Sequence, residues 1–438
     1  MTAVRFAGAL ASLLLAMATG TASAQSPGTA SVQSQCPPSF DWSGFYPPEV
    51  LDRVAQRSAP GLRANFDEVL LPRLTDRERG ALRDARLDLG QREYKDHPLN
   101  FYAARGGLVV LPLSSIRLVS DLSLALAWLN RHRLPEKRVF DYAAMLAWRG
   151  PTPDGARALP LSVLGVPEDA DSDPAVENLY QKILGSIMVF VMAHETGHLF
   201  YDHRADVDAA RSRLQEGEAD AFAVDLMARI GAAPVGVSFY FLMAAPFECP
   251  GRSTHPLSGE RVARTARAII DNAAVFARDK PDPARERQLI GAIAGKLQEV
   301  SALVDDPDVR EATRQVGQSS SVAGFAASAS PGPGQAVARQ AFDGSYSGQW
   351  ADAKGTVLEI GMVLKREGQV VRGTYDFGLG TVELDGTVDG DRLDYSWRWG
   401  SEYFGRGRLV SGAGGALEGT WGYTRSIEGG GTLTASPR

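Results

Sequence analysis

The sequence has little cysteine, little net charge and few long apolar segments. Its 438 residues include 2 cysteines, and 46 Lys and Arg against 52 Asp and Glu give a net charge of -6. This charge is modest for the length and no basic cluster accompanies it, which argues against a nucleic acid or an anionic lipid surface as the main partner. Beyond residue 24 no apolar run approaches the about 20 residues that cross a bilayer, so we expect no transmembrane segment.

Residues 1–24 have the pattern of a secretory signal peptide. Arg5 precedes an apolar run from Phe6 to Met17, and Ala22-Ser23-Ala24 forms an A-x-A cleavage site. A membrane anchor is the alternative, but the apolar core is short and small residues follow it. No cysteine adjoins the cleavage position, so a lipid anchor is not indicated. We therefore expect cleavage near Ala24 and a soluble chain that is periplasmic or secreted.

Cys36 and Cys249 are the two cysteines. In an exported protein an even pair predicts a disulfide, which here would tie an N-terminal tail, residues 25–40, to a distant part of the chain. Two unpaired thiols are the alternative, because the sequence does not give the distance between the two Cα atoms.

The most informative stretch is His194-Glu195-Thr196-Gly197-His198. On a helix, residues four apart share a face, so both imidazoles can bind one metal ion while Glu195 reaches a water on that metal. This is the HExxH pattern of zinc hydrolases. Because so short a pattern also arises by chance, two packed or solvated histidines are the alternative.

The residues before this motif predict a helix that buries it. Asp173-Pro174 is typical of an N-cap followed by proline at the first helical position. Apolar residues then recur at steps of three and four, at Val176, Tyr180, Ile183, Ile187 and Val191. His194 and His198 continue this buried face, where two imidazoles beside an acid need a shared partner. One Zn²⁺ per chain is the simplest partner.

A third ligand is expected from the segment Glu216 to Asp220, which opens a second helix. Glu216 and Asp220 are four residues apart and share a face, whereas Glu218 points roughly the other way. We predict Glu216 as the third ligand and Asp220 as the acceptor that orients a ligand histidine through its far ring nitrogen. The alternative is an acidic first turn that is stabilised by the helix dipole without a metal.

His255 precedes Pro256, which keeps it extended, and Arg261 follows in a further helix. A histidine held in this way can reach over a site and donate to a developing oxyanion. The alternative is an ordinary loop histidine before a helix that begins at Pro256.

Together, HExxH with a further histidine at His203, E-x-x-A-D from Glu216 to Asp220, and S-T-H-P at 253–256 with Arg261 downstream resemble the M48 peptidases. This gluzincin family includes the HtpX-like and CAAX prenyl proteases. The resemblance covers residues 45 to 280 and is concentrated in these motifs. It implies a mainly helical, zincin-type metallopeptidase domain, here residues 41–312, and endopeptidase activity on proteins or peptides.

For the site, the resemblance implies three zinc ligands, a general base and two supporting residues. The ligands are His194, His198 and Glu216; the base is Glu195; the supporting residues are His255, which assists the transition state, and Arg261. Many relatives are integral membrane proteins, so this chain resembles the soluble, exported branch. The segment 131–173 and the C-terminal region lie outside the shared pattern.

Upstream of the motif we predict mainly helix over residues 46–95, a β-hairpin around a Gly106-Gly107 turn, and a helix from about Ser114 to Asn130. Residues 131–173 are rich in Pro, Gly, Asp and Arg and predict a partly irregular insertion. It either shapes a cleft or only connects.

The C-terminal region changes in composition. Residues 313–341 are rich in Ser, Ala, Gly and Pro and predict a flexible linker. Residues 342–438 alternate apolar and polar residues, with Gly-punctuated turns, in eight runs: 344–350, 355–364, 369–377, 381–389, 391–399, 403–410, 416–423 and 429–435. We predict an up-and-down antiparallel barrel, and an α+β fold class for the whole chain. Its Trp350, Trp397, Trp399 and Trp421 line a ligand cavity or, as we favour, fill the core.

These patterns predict a zinc endopeptidase of the cell envelope. One alternative is an exported binding or chaperone-like protein that retains the metal site with little proteolysis. Another is a lipocalin-type carrier whose N-terminal region is a scaffold and whose barrel binds the ligand or recruits a substrate.

Overall fold

The computed structural model describes residues 36–132, 134–249, 255–329, 341–353, 355–376, 381–399, 403–412 and 415–437. The chain divides into two compact units, residues 2–330 and 331–438. The first unit is mainly helical and the second is all-β, so the predicted α+β class is confirmed. The predicted signal peptide and residues 25–35 of the predicted tail lie outside the described residues.

The first unit begins with short helices. They are α1 (Pro48–Arg57), α2 (Ala59–Ala64), a π-helical turn (Asn65–Leu70), a 3₁₀ turn (Leu71–Arg73) and α3 (Asp76–Ala81). Thr75 and Glu78 form a capping box at the start of α3. The predicted helical region up to residue 95 is wrong beyond Ala81, because Arg86–Asp88 forms a strand, β1, and irregular chain follows it.

The predicted hairpin is present and belongs to a three-stranded sheet. β2 (Tyr102–Ala104) pairs antiparallel with β3 (Leu108–Val110), and β1 pairs parallel with β3 on its other side. At the turn, a Cβ on Gly107 would lie 2.5 Å from the carbonyl oxygen of Asp84, and its φ is +77°. Only glycine fits here, and the close approach brings β1 alongside β3.

The helix predicted from Ser114 to Asn130 is confirmed as α4 (Leu113–His132). The prediction of an irregular insertion over residues 131–173 is wrong in part, because residues 137–149 form a regular helix, α5 (Lys137–Arg149). Its side chains Val139, Tyr142 and Leu146 are fully buried. The rest of the segment contains 3₁₀ turns and the short helix α6 (Pro160–Leu164).

The longest helix, α7 (Pro174–Phe200), carries the HExxH motif. Asp173 accepts a hydrogen bond from the backbone N–H of Ala175 and Pro174 occupies the first turn, as predicted. Among the described residues, α7 is the one helix long and apolar enough to cross a membrane; 72% of its most apolar window is buried inside the fold. Its predicted apolar stripe therefore faces the core of the first unit, where α4 and α8 pack against it.

The described part of the first unit continues with a 3₁₀ turn (Ala245–Phe247) and seven α-helices: α8 (Ala209–Ile230), α9 (Val237–Ala244), α10 (Gly259–Asp271), α11 (Ala273–Phe276), α12 (Pro283–Val304), α13 (Pro307–Ser319) and α14 (Val322–Ala329). The predicted linker is therefore wrong over residues 313–329, which are largely helical. Gly317 of α13 is buried so closely against α5 that a Cβ there would lie 2.5 Å from the carbonyl oxygen of Ala144. The small residues that resemble a linker in the sequence allow this packing.

The predicted disulfide is present between Cys36 and Cys249, whose Cα atoms lie 5.1 Å apart. The bond fixes the N-terminal end of the described chain beside the residues that follow α9. Both cysteines are thus removed from reactive chemistry.

The second unit is a closed barrel of eight antiparallel strands. The strands are β4 (Gly344–Asp352), β5 (Val357–Glu367), β6 (Val370–Asp376), β7 (Thr381–Asp389), β8 (Arg392–Trp399), β9 (Tyr403–Ser411), β10 (Leu417–Tyr423) and β11 (Gly431–Pro437). Each pairs with the next, and β11 pairs with β4. Both the eight predicted strands and their up-and-down order are confirmed.

The barrel tryptophans belong to its core. Trp421 and Trp397 are 1% and 6% exposed, and Trp350 stacks on Trp421 with ring centroids 4.8 Å apart. Trp350 and Trp399 are partly buried against the same cluster. The core interpretation of these four residues is the one that the structure supports.

Candidate metal centre

Four segments supply the side chains of the candidate site. The C-terminal half of α7 carries the HExxH motif, α8 carries Glu216 and Asp220, the loop before α10 carries His255, and α10 carries Arg261. Helices α7 and α8 approach closely at Gly197, because this residue has no side chain. A Cβ there would lie 3.1 Å from the Cα of Ala219. This contact brings the two imidazoles and the Glu216 carboxylate to one point.

The three predicted ligands converge. The Nε2 atoms of His194 and His198 lie 3.0 Å apart. Glu216 Oε2 lies 3.5 Å from His194 Nε2, and Glu216 Oε1 lies 3.4 Å from His198 Nε2. Ligands at about 2.0–2.2 Å from one tetrahedral zinc ion would be about 3.3 Å apart. The residues therefore fit a metal ion bound between them.

His255 lies in the same group. Its Nδ1 is 3.2 Å from both carboxylate oxygens of Glu216, and ligand atoms of all four residues lie within 4.8 Å of one another. Its Nε2 is 3.0 Å from the carbonyl oxygen of Phe101 and 3.9 Å from Glu195 Oε1. Burial alone would lower the pKa of His255, but the carboxylates of Glu216 and Glu195 raise it. This buried group of four could hold a metal ion, with His255 as a ligand or beside the ion.

Asp220 and Arg261 lie behind the ligands. Arg261 binds Asp220 through two contacts, Nε to Oδ2 at 2.8 Å and Nη2 to Oδ1 at 2.9 Å, and its Nη1 lies 2.7 Å from Glu216 Oε2. Asp220 Oδ1 is 2.8 Å from His194 Nδ1, and Asp220 Oδ2 accepts a hydrogen bond from Thr265. Burial would raise the pKa of Asp220, but Arg261 and His194 lower it to about 2. Asp220 is therefore an anion placed to orient His194.

Glu195 is 2% exposed, and its Oε2 has no hydrogen-bond partner among the described residues. A buried carboxylate oxygen without a partner is costly unless it serves a ligand or a water. Glu195 also lines a cavity that His198, Glu216 and His255 border. It is therefore available to a water held next to the ligand group.

Two contacts of the site were not predicted as such. His203 Nδ1 lies 2.9 Å from His198 Nδ1, and His203 Nε2 lies 3.0 Å from Glu218 Oε2. His203 thus lies beside the far ring nitrogen of His198, as Asp220 lies beside that of His194. The available signal was the position of His203 five residues after His198. Glu218 does point away from the ligands, and it reaches His203 for that reason.

His97, beside the site, provides a pH-dependence prediction. The ring is half-buried, accepts a hydrogen bond from Leu99 N–H at Nδ1, and has a pKa that burial lowers to about 4. The unfolded chain, with a pKa of about 6.5, binds more protons between these values, so stability is full above pH 6.5 and falls toward pH 4. Because the ring is partly exposed, solvent screens part of this effect. We expect the free energy of unfolding to fall by about 2 kcal/mol between pH 6.5 and pH 4.

His97→Asn keeps an acceptor near the Leu99 N–H and removes the titration. Urea unfolding at pH 7 and pH 4.5 is expected to show a smaller pH-dependent loss of stability in this variant than in the wild type. Equal losses in the two proteins would contradict the assignment.

Comparisons with protein-family models, with curated proteins and with solved structures find no match for this chain.

Proposed function

We propose that this chain is an exported zinc endopeptidase of the M48 type, with a zincin-like first unit. One observation carries the proposal: His194, His198 and Glu216 converge at ligand spacing, with the unpartnered carboxylate oxygen of Glu195 beside them. Two imidazoles and a glutamate are the ligand set of catalytic zinc sites that keep a position for water. The order of these residues along the chain supports the same family.

Each residue of the site has a defined part in peptide hydrolysis. His194, His198 and Glu216 would hold the metal, and zinc, when bound, activates water and polarises the scissile carbonyl. Glu195 accepts a proton from the water as the water oxygen forms a bond to the carbonyl carbon. The same carboxyl group then delivers that proton to the leaving amine as the C–N bond breaks.

The surrounding residues position this machinery. Asp220 and His203 orient the two ligand histidines through their far ring nitrogens, and Arg261 neutralises the carboxylates of Glu216 and Asp220. His255 is assigned to stabilisation of the transition state, because it lies at the open side of the group and borders the cavity. Its Nδ1 beside Glu216 also makes it a candidate fourth ligand.

The test is metal analysis combined with proteolysis by the purified full-length chain. We expect about one zinc per chain and cleavage of casein, an unfolded protein, that stops when a chelator removes the metal and returns when zinc is restored. A His198→Ala variant serves as the control that has lost a ligand. A stable metal site without cleavage would favour the binding or chaperone-like alternative, and full activity after complete metal removal would contradict the proposal.

A further inference from the structure

A cavity of 1150 Å³ extends from the candidate metal site into the first unit. Glu195, His198, Glu216 and His255 line it, and we call this part the near end. Residues of α5, α9, α12 and α13 also line it, and we call the part that they line the far part. The partly buried apolar side chains of the far part include Trp148, Leu242, Leu303, Val304, Val309 and Val316.

The two parts of the cavity differ in chemistry. The near end presents imidazoles and carboxylates, whereas the six far side chains are apolar and only partly buried, so they present apolar surface to the cavity. The charged groups along the far part are engaged with each other: Lys137 pairs with Asp141, and Arg310 Nη2 lies 2.9 Å from Asp305 Oδ1. The far part therefore matches an apolar occupant better than a charged one.

The cavity is too large to be filled by a single side chain. Pockets of about 300–1,000 Å³ enclose whole drug-sized ligands. Along α13 the lining residues run from Val309 to Ser319, a distance of about 15 Å at 1.5 Å per residue. An extended peptide covers that distance with about four or five residues.

We propose that the far part of this cavity binds an apolar segment of about four or five residues of a polypeptide substrate, next to the bond that is cut. The proposal rests on the proposed function, because continuity with the metal site is what makes a polypeptide the expected occupant. The substrate class is then unfolded or extended polypeptide with an exposed apolar stretch. A folded protein keeps such a stretch inside its core and does not offer it.

Binding can be measured without turnover in the full-length Glu195→Gln protein loaded with zinc. The probes are two fluorescently labelled 12-residue peptides that differ only in five consecutive positions, which are Leu, Val and Phe in one and Ser in the other. We expect the apolar peptide to bind at least tenfold more tightly by fluorescence anisotropy.

A second substitution locates the binding. Ala312→Trp places a large ring in the cavity from α13 and is expected to weaken binding of the apolar peptide at least tenfold. Gln318→Trp, on an exposed position of the same helix that does not line the cavity, is the matched control and should leave binding unchanged. Metal content and the thermal midpoint verify that both variants fold, and Thr313→Trp replaces Ala312→Trp if that variant does not.

The outcomes separate this proposal from the proposed function. Equal binding of the two peptides, or undiminished binding in the folded cavity-filling variant, overturns the apolar subsite. If the active protein cleaves the apolar peptide and the serine peptide equally well, the proposed apolar subsite is overturned as well, but the peptidase function stands. Binding of the apolar peptide at this cavity without any cleavage by the wild type supports the subsite and contradicts the peptidase.

Discussion

Glu195→Gln is expected to lower kcat/KM for peptide cleavage by about 10²–10⁴-fold while the metal content stays at the wild-type level. The amide has nearly the shape of the carboxylate but cannot accept a proton from water. Glu195 is not among the groups whose ligand atoms converge, so its replacement leaves His194, His198 and Glu216 in place. Steady-state kinetics and metal analysis on the same preparation provide the measurement.

Glu177→Gln is the matched control for this substitution. Glu177 lies in the first turn of the same helix, 18 residues before Glu195, or about 27 Å along the helix axis. It should change neither the rate nor the metal content. Wild-type cleavage in Glu195→Gln would remove Glu195 from the mechanism, and loss of metal in that variant would show a ligand or structural role instead.

Arg261→Met is expected to lower the free energy of unfolding of the metal-free protein by about 3–5 kcal/mol. Arg261 is 7% exposed and provides the positive charge next to two buried carboxylates, those of Glu216 and Asp220. Methionine preserves much of the apolar stem but leaves both carboxylates without that partner. Denaturant unfolding in the presence of a chelator measures the loss.

Arg264→Met, three residues further along the same helix, is the control. Arg264 is exposed and pairs with Glu260 at the surface, so its removal is expected to cost less than about 1 kcal/mol. Adding Asp220→Asn to Arg261→Met should recover part of the loss, because one of the unpaired charges is then absent. Similar small effects of Arg261→Met and Arg264→Met would show that the buried network contributes little.

The local part of this architecture could be predicted from the sequence. The start of α7 follows from Asp173 and Pro174 and its buried face from a periodic apolar stripe, and those signals lie within one helix. The convergence of His194 and His198 requires only helical geometry. In the second unit, strict alternation and Gly-rich turns were sufficient for all eight strands, because each strand pairs with its neighbour in the chain.

The parts that escaped prediction depend on contacts between distant segments. Strand β1 exists because Arg86 pairs with Leu108 across a segment that contains β2, and its three residues carry no strand signal of their own. Helix α5 is bounded by Pro and Gly-rich chain that obscured its apolar face. Likewise, α13 depends on the packing of Gly317 against α5. The composition of this segment predicts a flexible linker because it does not contain that contact.

The position of His255 depends on the same kind of contact. Its Nε2 lies 3.0 Å from the carbonyl oxygen of Phe101, a residue 154 positions earlier in the chain. The spacing of the motifs placed His255 near the site but did not determine whether its ring faces a substrate or a ligand carboxylate. The contact with Phe101, which directly precedes the edge strand β2, holds the ring beside Glu216.

Closure of the barrel places the start of its first strand beside the end of its last, since Tyr346 in β4 is paired with Pro437 in β11. Neighbouring strands are about 4.8 Å apart, so a short peptide could join these ends. New termini could then be cut at the turn around Gly390, between β7 and β8, where no strand pairing would be lost. The barrel thus has the geometry of a circularly permutable module, one in which the order of the strands around the ring matters and the point at which the chain begins does not.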